Sequence, residues 1–407
     1  MITVWREDRE AGVTHPEGFV AGSARCGLKA EGLDLGLIVC DTPATAAGVF
    51  TTNRVQASCV RHSRRVVRTG QARAILCNAG NANACNGERG ERDTQRMAEL
   101  TADAIMAAPG EVLVASTGII GRPMPMDLIS AGIPLTADAL DRDPESDRAF
   151  VRAIMTTDTR PKSIAVTCDG DEWQGAVRIG GSCKGAGMIA PNMATMLGFL
   201  TTDVRIPAPL LQEALTAAVA RTFNCVTVDS DTSTNDMVLA LASGMGECSI
   251  ADRGPAFDAF CDALERVCRA LAIEVARDGE GATKLVEVTV CGAPTPEGAH
   301  RIGRTIAESP LVKTALFGKD PNWGRILMAA GRAGVAFDPD CASVRLGDTL
   351  VFQNGTGVAF DEAAASAYLG ASEVTITVDL GLGVNTATLW TCDYSYDYIR
   401  INADYHT

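Results

Sequence analysis

The chain has 407 residues, 46% of them hydrophobic and 21% charged, with a formal net charge of -14. This composition supports a large buried core without disulfides or metals, and the length points to two domains or one elaborate domain. The acidic balance argues against nucleic acid or an anionic membrane surface, and favours small molecules or further copies of the chain as partners.

Read in chain order, the N-terminal stretch MITVWREDREAGVTHPEGF is charged and carries no apolar core of a signal peptide, and no run reaches the ~18 apolar residues of a membrane span. Short β-branched runs then predict strands at 36–40 (GLIVC), 74–78 (AILCN), 111–115 (EVLVA) and 163–168 (SIAVTC), each ending near turn residues. Apolar residues recurring at i, i+3 and i+4 predict helices at 93–107, 209–221 and 257–276. Asp93 and Thr94 are natural N-caps for the first of these, and Pro109-Gly110 stops it. Strand signals return at 286–290, 343–346 and 374–380. Strand pairs mix with helices without strict βαβ alternation, which predicts an α/β chain of the α+β layered kind, with helices over mixed or antiparallel sheets.

The 14 cysteines form no C-x-x-C pair, and His15, His62, His300 and His406 stand at no metal-ligand spacing. Buried, reduced thiols in a cytoplasmic protein without a metal are the expectation. The nearest thing to a boundary is 180–191 (GGSCKGAGMIAP), too glycine-rich for helix or regular strand. It leads into Asn192-Met193-Ala194-Thr195, where small and flexible residues precede a threonine. On composition this is a glycine-rich turn feeding an apolar strand. K-G-A-G lacks the spacing of a nucleotide-binding loop.

Residues 184–197 (KGAGMIAPNMATML) resemble the cleavage-site signature of the ornithine acetyltransferase family, also called the glutamate N-acetyltransferase family. The resemblance extends to 50–56 (FTTNRVQ), 78–87 (NAGNANACNG), 115–121 (ASTGIIG) and 155–162 (MTTDTRPK). Beyond the signature it continues through 229–236 (DSDTSTND), 278–285 (DGEGATKL), 311–315 (LVKTA), 320–326 (DPNWGRI) and 398–407 (YIRINADYHT), in family order along the chain. Ser230 stands where the family leads one to expect glycine.

The resemblance implies an N-terminal-nucleophile-like sandwich that cuts itself between Ala194 and Thr195. Residues 1–194 would form an α chain and 195–407 a β chain, associated in one catalytic unit and assembled as a heterotetramer or higher. It implies transfer of acetyl from N-acetyl-L-ornithine to L-glutamate in arginine biosynthesis, without a cofactor. Whether acetyl-CoA also serves as donor is left open. Thr195 would be the nucleophile. A threonine hydroxyl needs a base, and the α-amino group freed by cleavage, with an ordinary pKa of about 7.7–8.0, supplies one. Thr117 and Gly118 match the family's oxyanion donors. Lys184, Glu280, Thr157, Asn402 and Thr407 match its substrate contacts together with Thr195; Thr156, next to Thr157, is an alternative. A self-processing aminopeptidase or amidohydrolase of the same nucleophile type is the rival enzyme, with water as acceptor, and a non-enzymatic assembly subunit the rival of another class. Asp229, Asp231 and Asp236 resemble a metal cluster, but the intervening Ser and Thr point to turns and caps. Arg61, Arg64, Arg65 and Arg68 are read as a solvated helix face or subunit contact, and 320–325 as a turn that braces the site or an interface.

Overall fold

A computed structural model describes residues 4–170, 173, 175–190 and 196–404. Fifteen strands are found among the described residues. The first nine form one sheet: β1 Val4–Asp8, β2 Phe19–Ala24, β3 Leu35–Phe50, β4 Gln71–Asn81, β5 Val112–Ile119, β6 Lys162–Asp169, β7 Ala176–Lys184, β8 Leu197–Thr202 and β9 Met237–Ala242, in the order β1-β6-β7-β8-β9-β3-β4-β5 with β2 also on β3. Only β4/β5 and β8/β9 are parallel pairs in it. A second sheet is built from β10 Leu285–Ala293, β11 Ser343–Leu346, β12 Thr349–Gln353, β13 Thr356–Gly357, β14 Glu373–Asp379 and β15 Asn385–Cys392.

Helices α1 Ser58–Val67, α2 Gly87–Ile105, α3 Met126–Asp138 and α4 Pro144–Ile154 cover one face of the large sheet. Helices α5 Ala208–Arg221 and α6 Pro255–Arg277 cover the other, and α6 also packs on β10 and β15 of the second sheet. Helices α7 Pro296–Ala307, α8 Pro310–Phe317, α9 Trp323–Gly331, α10 Glu362–Tyr368 and α11 Tyr396–Asp404 complete the chain. The mixed, layered α/β architecture is therefore the one the strand and helix patterns predict. Because the large sheet is covered on both faces, its central strands are apolar throughout rather than alternating. In β9, Met237, Leu239 and Leu241 enter the core beneath α1–α4, while Val238, Ala240 and Ala242 enter the core beneath α5 and α6. No helix is long and apolar enough to cross a membrane among the described residues.

Two expectations are corrected. Helix α2 starts at Gly87, not Asp93, with Asn86 before it. Thr94 is buried inside the helix, donating to the Gly90 carbonyl and accepting from Asn83, so neither Asp93 nor Thr94 is a cap. The exposed Glu88, Arg89, Arg92 and Arg96 of its first turns hid the helical period, although they form i,i+3 and i,i+4 ion pairs. Second, Gly180 to Lys184 are regular strand. A Cβ on Gly180 would lie 1.9 Å from the Gly12 carbonyl oxygen, and one on Gly181 2.8–2.9 Å from Val267, Leu200 and Leu271. The glycines there serve close packing on both faces of the sheet rather than a turn.

Candidate active site

Strand β7 ends at Lys184, which faces Leu197, the first residue of β8. The connection 185–196 thus leaves and re-enters the sheet between adjacent antiparallel strands. Within it Ala194 and Thr195 lie outside the described residues, as does Thr407. Around it is a cavity of about 250 Å³ lined by Thr117, Gly118, Thr156, Thr157, Lys184, Met196, Glu280 and Asn402, along with Asp229, Asn235, Asp236 and Tyr398. The described residues that match the family's oxyanion and substrate positions, from five separated segments, all meet there.

Thr117 and Gly118 close the parallel pair β4/β5, opposite Ala79 and Gly80. Gly118 has φ 127, and a Cβ on it would lie 2.3 Å from the Gly80 carbonyl carbon and 2.6 Å from the Asn81 nitrogen. Glycine alone fits this approach. Asn235, buried just before β9, braces the strand by donating to the Ser116 carbonyl at 2.8 Å and the Ala82 carbonyl at 2.6 Å. Its own amide oxygen accepts the Thr234 hydroxyl at 2.6 Å.

The Lys184 ammonium donates to the Thr156 hydroxyl at 2.7 Å and lies 3.5 Å from the Thr117 hydroxyl. Of the two adjacent threonines it is Thr156 that bonds the lysine, while Thr157 also lines the cavity. Beneath them Asp158 is fully buried and gathers four groups. It accepts the Gly185 amide at 2.6 Å, the Thr156 amide at 3.0 Å and Lys162 at 2.7 Å, and pairs with Lys184 at 3.8 Å. Burial alone would raise its carboxyl, but Lys184 and Lys162 outweigh that and hold it well below the usual carboxylate range. Lys162 in turn reaches Asp278 at 2.5 Å, two residues before Glu280. Burial works against the Lys162 charge, and Asp158 and Asp278 more than restore it, so its pKa is raised.

Glu280 stands on the other side of the cavity, in the loop after α6, and its carboxylate accepts the Asn402 amide at 2.9 Å. Gly187 lies so close that a Cβ there would be 2.3–2.4 Å from the carboxylate atoms. Asn402 is carried by α11, whose Tyr398 stacks on Tyr394 with centroids 4.7 Å apart. Ile399 of the same helix is 67% exposed, whereas Tyr398 and Asn402 line the cavity. Asp229 accepts the Met188 and Ile189 amides at 2.6 and 2.7 Å, the turn-and-cap role read from its neighbours. No group of three or more His, Cys, Asp or Glu side chains arranged to hold a metal is found among the described residues. Outside the cavity, Asn322 caps α9 through the Arg325 amide at 3.2 Å and Arg325 reaches the Leu311 carbonyl at 2.9 Å, so 320–325 ties α9 to α8 and does not touch the site. Arg61 pairs with Glu91 at 2.5 Å and Arg64 lies over Phe50.

Asp158, Asp278, Lys162 and Asn235 were not assigned from the sequence. Each sits inside a segment quoted for its resemblance, which was the available signal. A single Asp beside threonines otherwise reads as a cap.

A family model described as the ArgJ family matches residues 20–407. The arginine biosynthesis bifunctional protein ArgJ of Symbiobacterium thermophilum is 50% identical over 401 residues, covering 97% of this chain and 98% of its own. That of Synechococcus sp. is 49% identical over 420 residues, covering all of both chains. The crystal structure of the arginine biosynthesis bifunctional protein argJ from Bacillus halodurans is 44% identical, covers 51% of this chain and 98% of its own, and has a TM-score of 0.49. With a family model matching from β2 to the C-terminus and relatives of 49–50% identity over nearly the whole length, the chain belongs to the ArgJ family.

Proposed function

We propose that this chain is a self-cleaving acetyltransferase of arginine biosynthesis that moves acetyl from N-acetyl-L-ornithine to L-glutamate. The observation that carries the reading is the gathering of Thr117, Gly118, Lys184, Thr156, Thr157, Glu280 and Asn402 around one cavity, which Met196, the residue after Thr195, also lines. In cleavage the Thr195 hydroxyl attacks the Ala194 carbonyl, the peptide nitrogen leaves as the new α-amine, and water opens the resulting ester. The amine then takes the proton from the same hydroxyl as it attacks the acetyl carbonyl of acetylornithine. Ornithine departs, acetyl-Thr195 remains, and the glutamate amine takes the acetyl in a second displacement. Each tetrahedral oxyanion is met by the Thr117 hydroxyl and the Gly118 amide.

Lys184 sets a positive charge beside that oxyanion site, and Glu280 pairs with the ammonium of the ornithine side chain. Thr157, Asn402 and Thr407 complete the substrate contacts. Residues 1–194 and 195–407 stay together as α and β chains, two of each or a multiple. The relatives' bifunctional name supports acetyl-CoA as a second acetyl donor. The 14 cysteines, all free, fit a reducing cytoplasm.

The test is the intact mass of the wild-type protein beside Thr195→Ala. Two wild-type fragments meeting at Ala194/Thr195 and an uncut variant are expected. A cleaved, active Thr195→Ala protein would refute the nucleophile. Glutamate-dependent formation of N-acetylglutamate then separates the transferase from an amidohydrolase, which would release free acetate instead.

A further inference from the structure

The segment around the proposed cut is tied down on both flanks by a single stretch, residues 227–237. Upstream, the Asp229 carboxylate closes on the Met188 amide at 2.6 Å and the Ile189 amide at 2.7 Å. The Ile189 carbonyl accepts the Val228 amide at 2.6 Å and the Thr227 hydroxyl at 3.2 Å, and Thr232 donates its hydroxyl to the Ala190 carbonyl at 3.1 Å. Downstream, the Met196 carbonyl accepts the Met237 amide at 3.1 Å. Residues 190 and 196 are therefore both fastened to the strip that leads into β9.

The upstream tie uses unfavourable backbone. Met188 has φ 56 and Ser230 φ 68, a left-handed region that non-glycine residues seldom occupy. The two strained residues sit on either side of the Asp229 bonds. Asp158 holds the Gly185 amide and the Glu280 amide holds the Ala186 carbonyl, and the Asp229 bonds carry that anchoring on to Met188 and Ile189; an intramolecular attack needs its reacting atoms held in one geometry.

We propose that Asp229 is a positioning residue for self-cleavage, its two carboxylate oxygens clamping the upstream flank of the scissile segment while the Met196–Met237 bond holds the downstream flank. The inference rests on the self-cleavage reading above. The ionised carboxylate offers a strong acceptor to each amide; protonation turns one oxygen into a hydroxyl, a much poorer acceptor. Burial pushes the Asp229 carboxyl up to about 6, against the pull of the Met188 and Ile189 amides. The groups that face it are Asp231, Lys313, Cys392, Tyr394 and Tyr398. Burial lowers the Lys313 pKa and raises those of Cys392 and the two tyrosines, so these three stay protonated near neutrality.

The test follows freshly translated full-length chain, moved into buffers on either side of the Asp229 midpoint, by the appearance of the two fragments. Wild-type cleavage is expected to slow as pH falls through about 6. Asp229→Asn keeps one acceptor and is expected to cut at least ~10-fold more slowly, with no inflection there. Thr232→Val, which removes only the bond to Ala190, is expected to slow cleavage about 3-fold and keep the inflection. An Asp229→Asn chain cut at the wild-type pace, or one that still shows the inflection, overturns the clamp. A wild-type chain that is never cut overturns the self-cleavage reading itself, so the two failures are told apart.

Discussion

Gly187 and Glu280 are a pair in which the smallest side chain sets the position of a charged one. A methyl group at Gly187 would overlap the Glu280 carboxylate, so Gly187→Ala must push it off the Asn402 amide. The expected outcome is a KM for acetylornithine raised about 10-fold, equivalent to one lost charge-assisted hydrogen bond, with the fold intact. Unchanged steady-state kinetics would mean that Glu280 does not bind the donor. Thr117→Ala, in contrast, is expected to lower kcat by about 10²–10³ with KM little changed, as for loss of one oxyanion donor. The two variants thus separate ground-state binding from transition-state stabilisation in one set of assays. Lys184, Glu280 and Thr117 were legible in the sequence only through resemblance, because their alternatives, a loop lysine, a surface glutamate and a strand end, look identical locally. Asp158 was legible only as part of the quoted segment 155–162, with no role of its own. Its role comes from Lys162, Lys184, Gly185 and Thr156 converging on it, and nothing about a lone aspartate announces that.

Strands and helices whose pattern matched their burial were readable: α5 and α6 came out within two residues of their observed ends. β7 did not, since its glycines give room to the chain at Gly12 and to α6 on opposite faces, a need created by neighbours distant in sequence. The loops after α4 and α6 are joined by the buried chain Lys184–Asp158–Lys162–Asp278. Replacing Lys162 by Met would leave two buried carboxylates facing each other, and an unfolding free energy lower by about 3–5 kcal/mol is expected, read by denaturant melts. The same chain sets an acid limit. Asp158 has a folded pKa depressed below its unfolded value, so its stabilisation is complete above about pH 4 and is lost as pH falls toward the folded value. An acid titration of wild type should show that loss, and Asp158→Asn should flatten it while being less stable at neutral pH. Asp229 works in the opposite sense, because its folded pKa is raised. Its ionisation costs the folded state stability above about 6, a penalty relieved as pH falls from there toward 4.

For the molecule as a whole, the large sheet draws strands from both sides of Ala194/Thr195. β7 pairs with β8 over six residues, and β3 pairs with β9 over six more. Both hydrophobic cores include residues from the two sides, such as Phe150 against Phe199 with centroids 5.6 Å apart. Cutting one peptide bond removes none of these contacts. After cleavage the fragments are expected to co-elute in size-exclusion chromatography and to part only in denaturant. Fragments separating in native buffer would mean that the shared sheet does not hold them.

By itself the sequence determined the layered α/β class, through alternating and continuous apolar runs, and the candidate residues, through motifs kept in family order. Those are properties of short segments, where local pattern and residue type are sufficient. Only the tertiary structure decided that Thr156 and not Thr157 bonds Lys184, that Asp158 and Lys162 underlie both, and that Asp229 grips Met188 and Ile189. Each of these depends on backbone direction at segments as much as 41 residues apart, and is fixed when the sheet closes around its two cores.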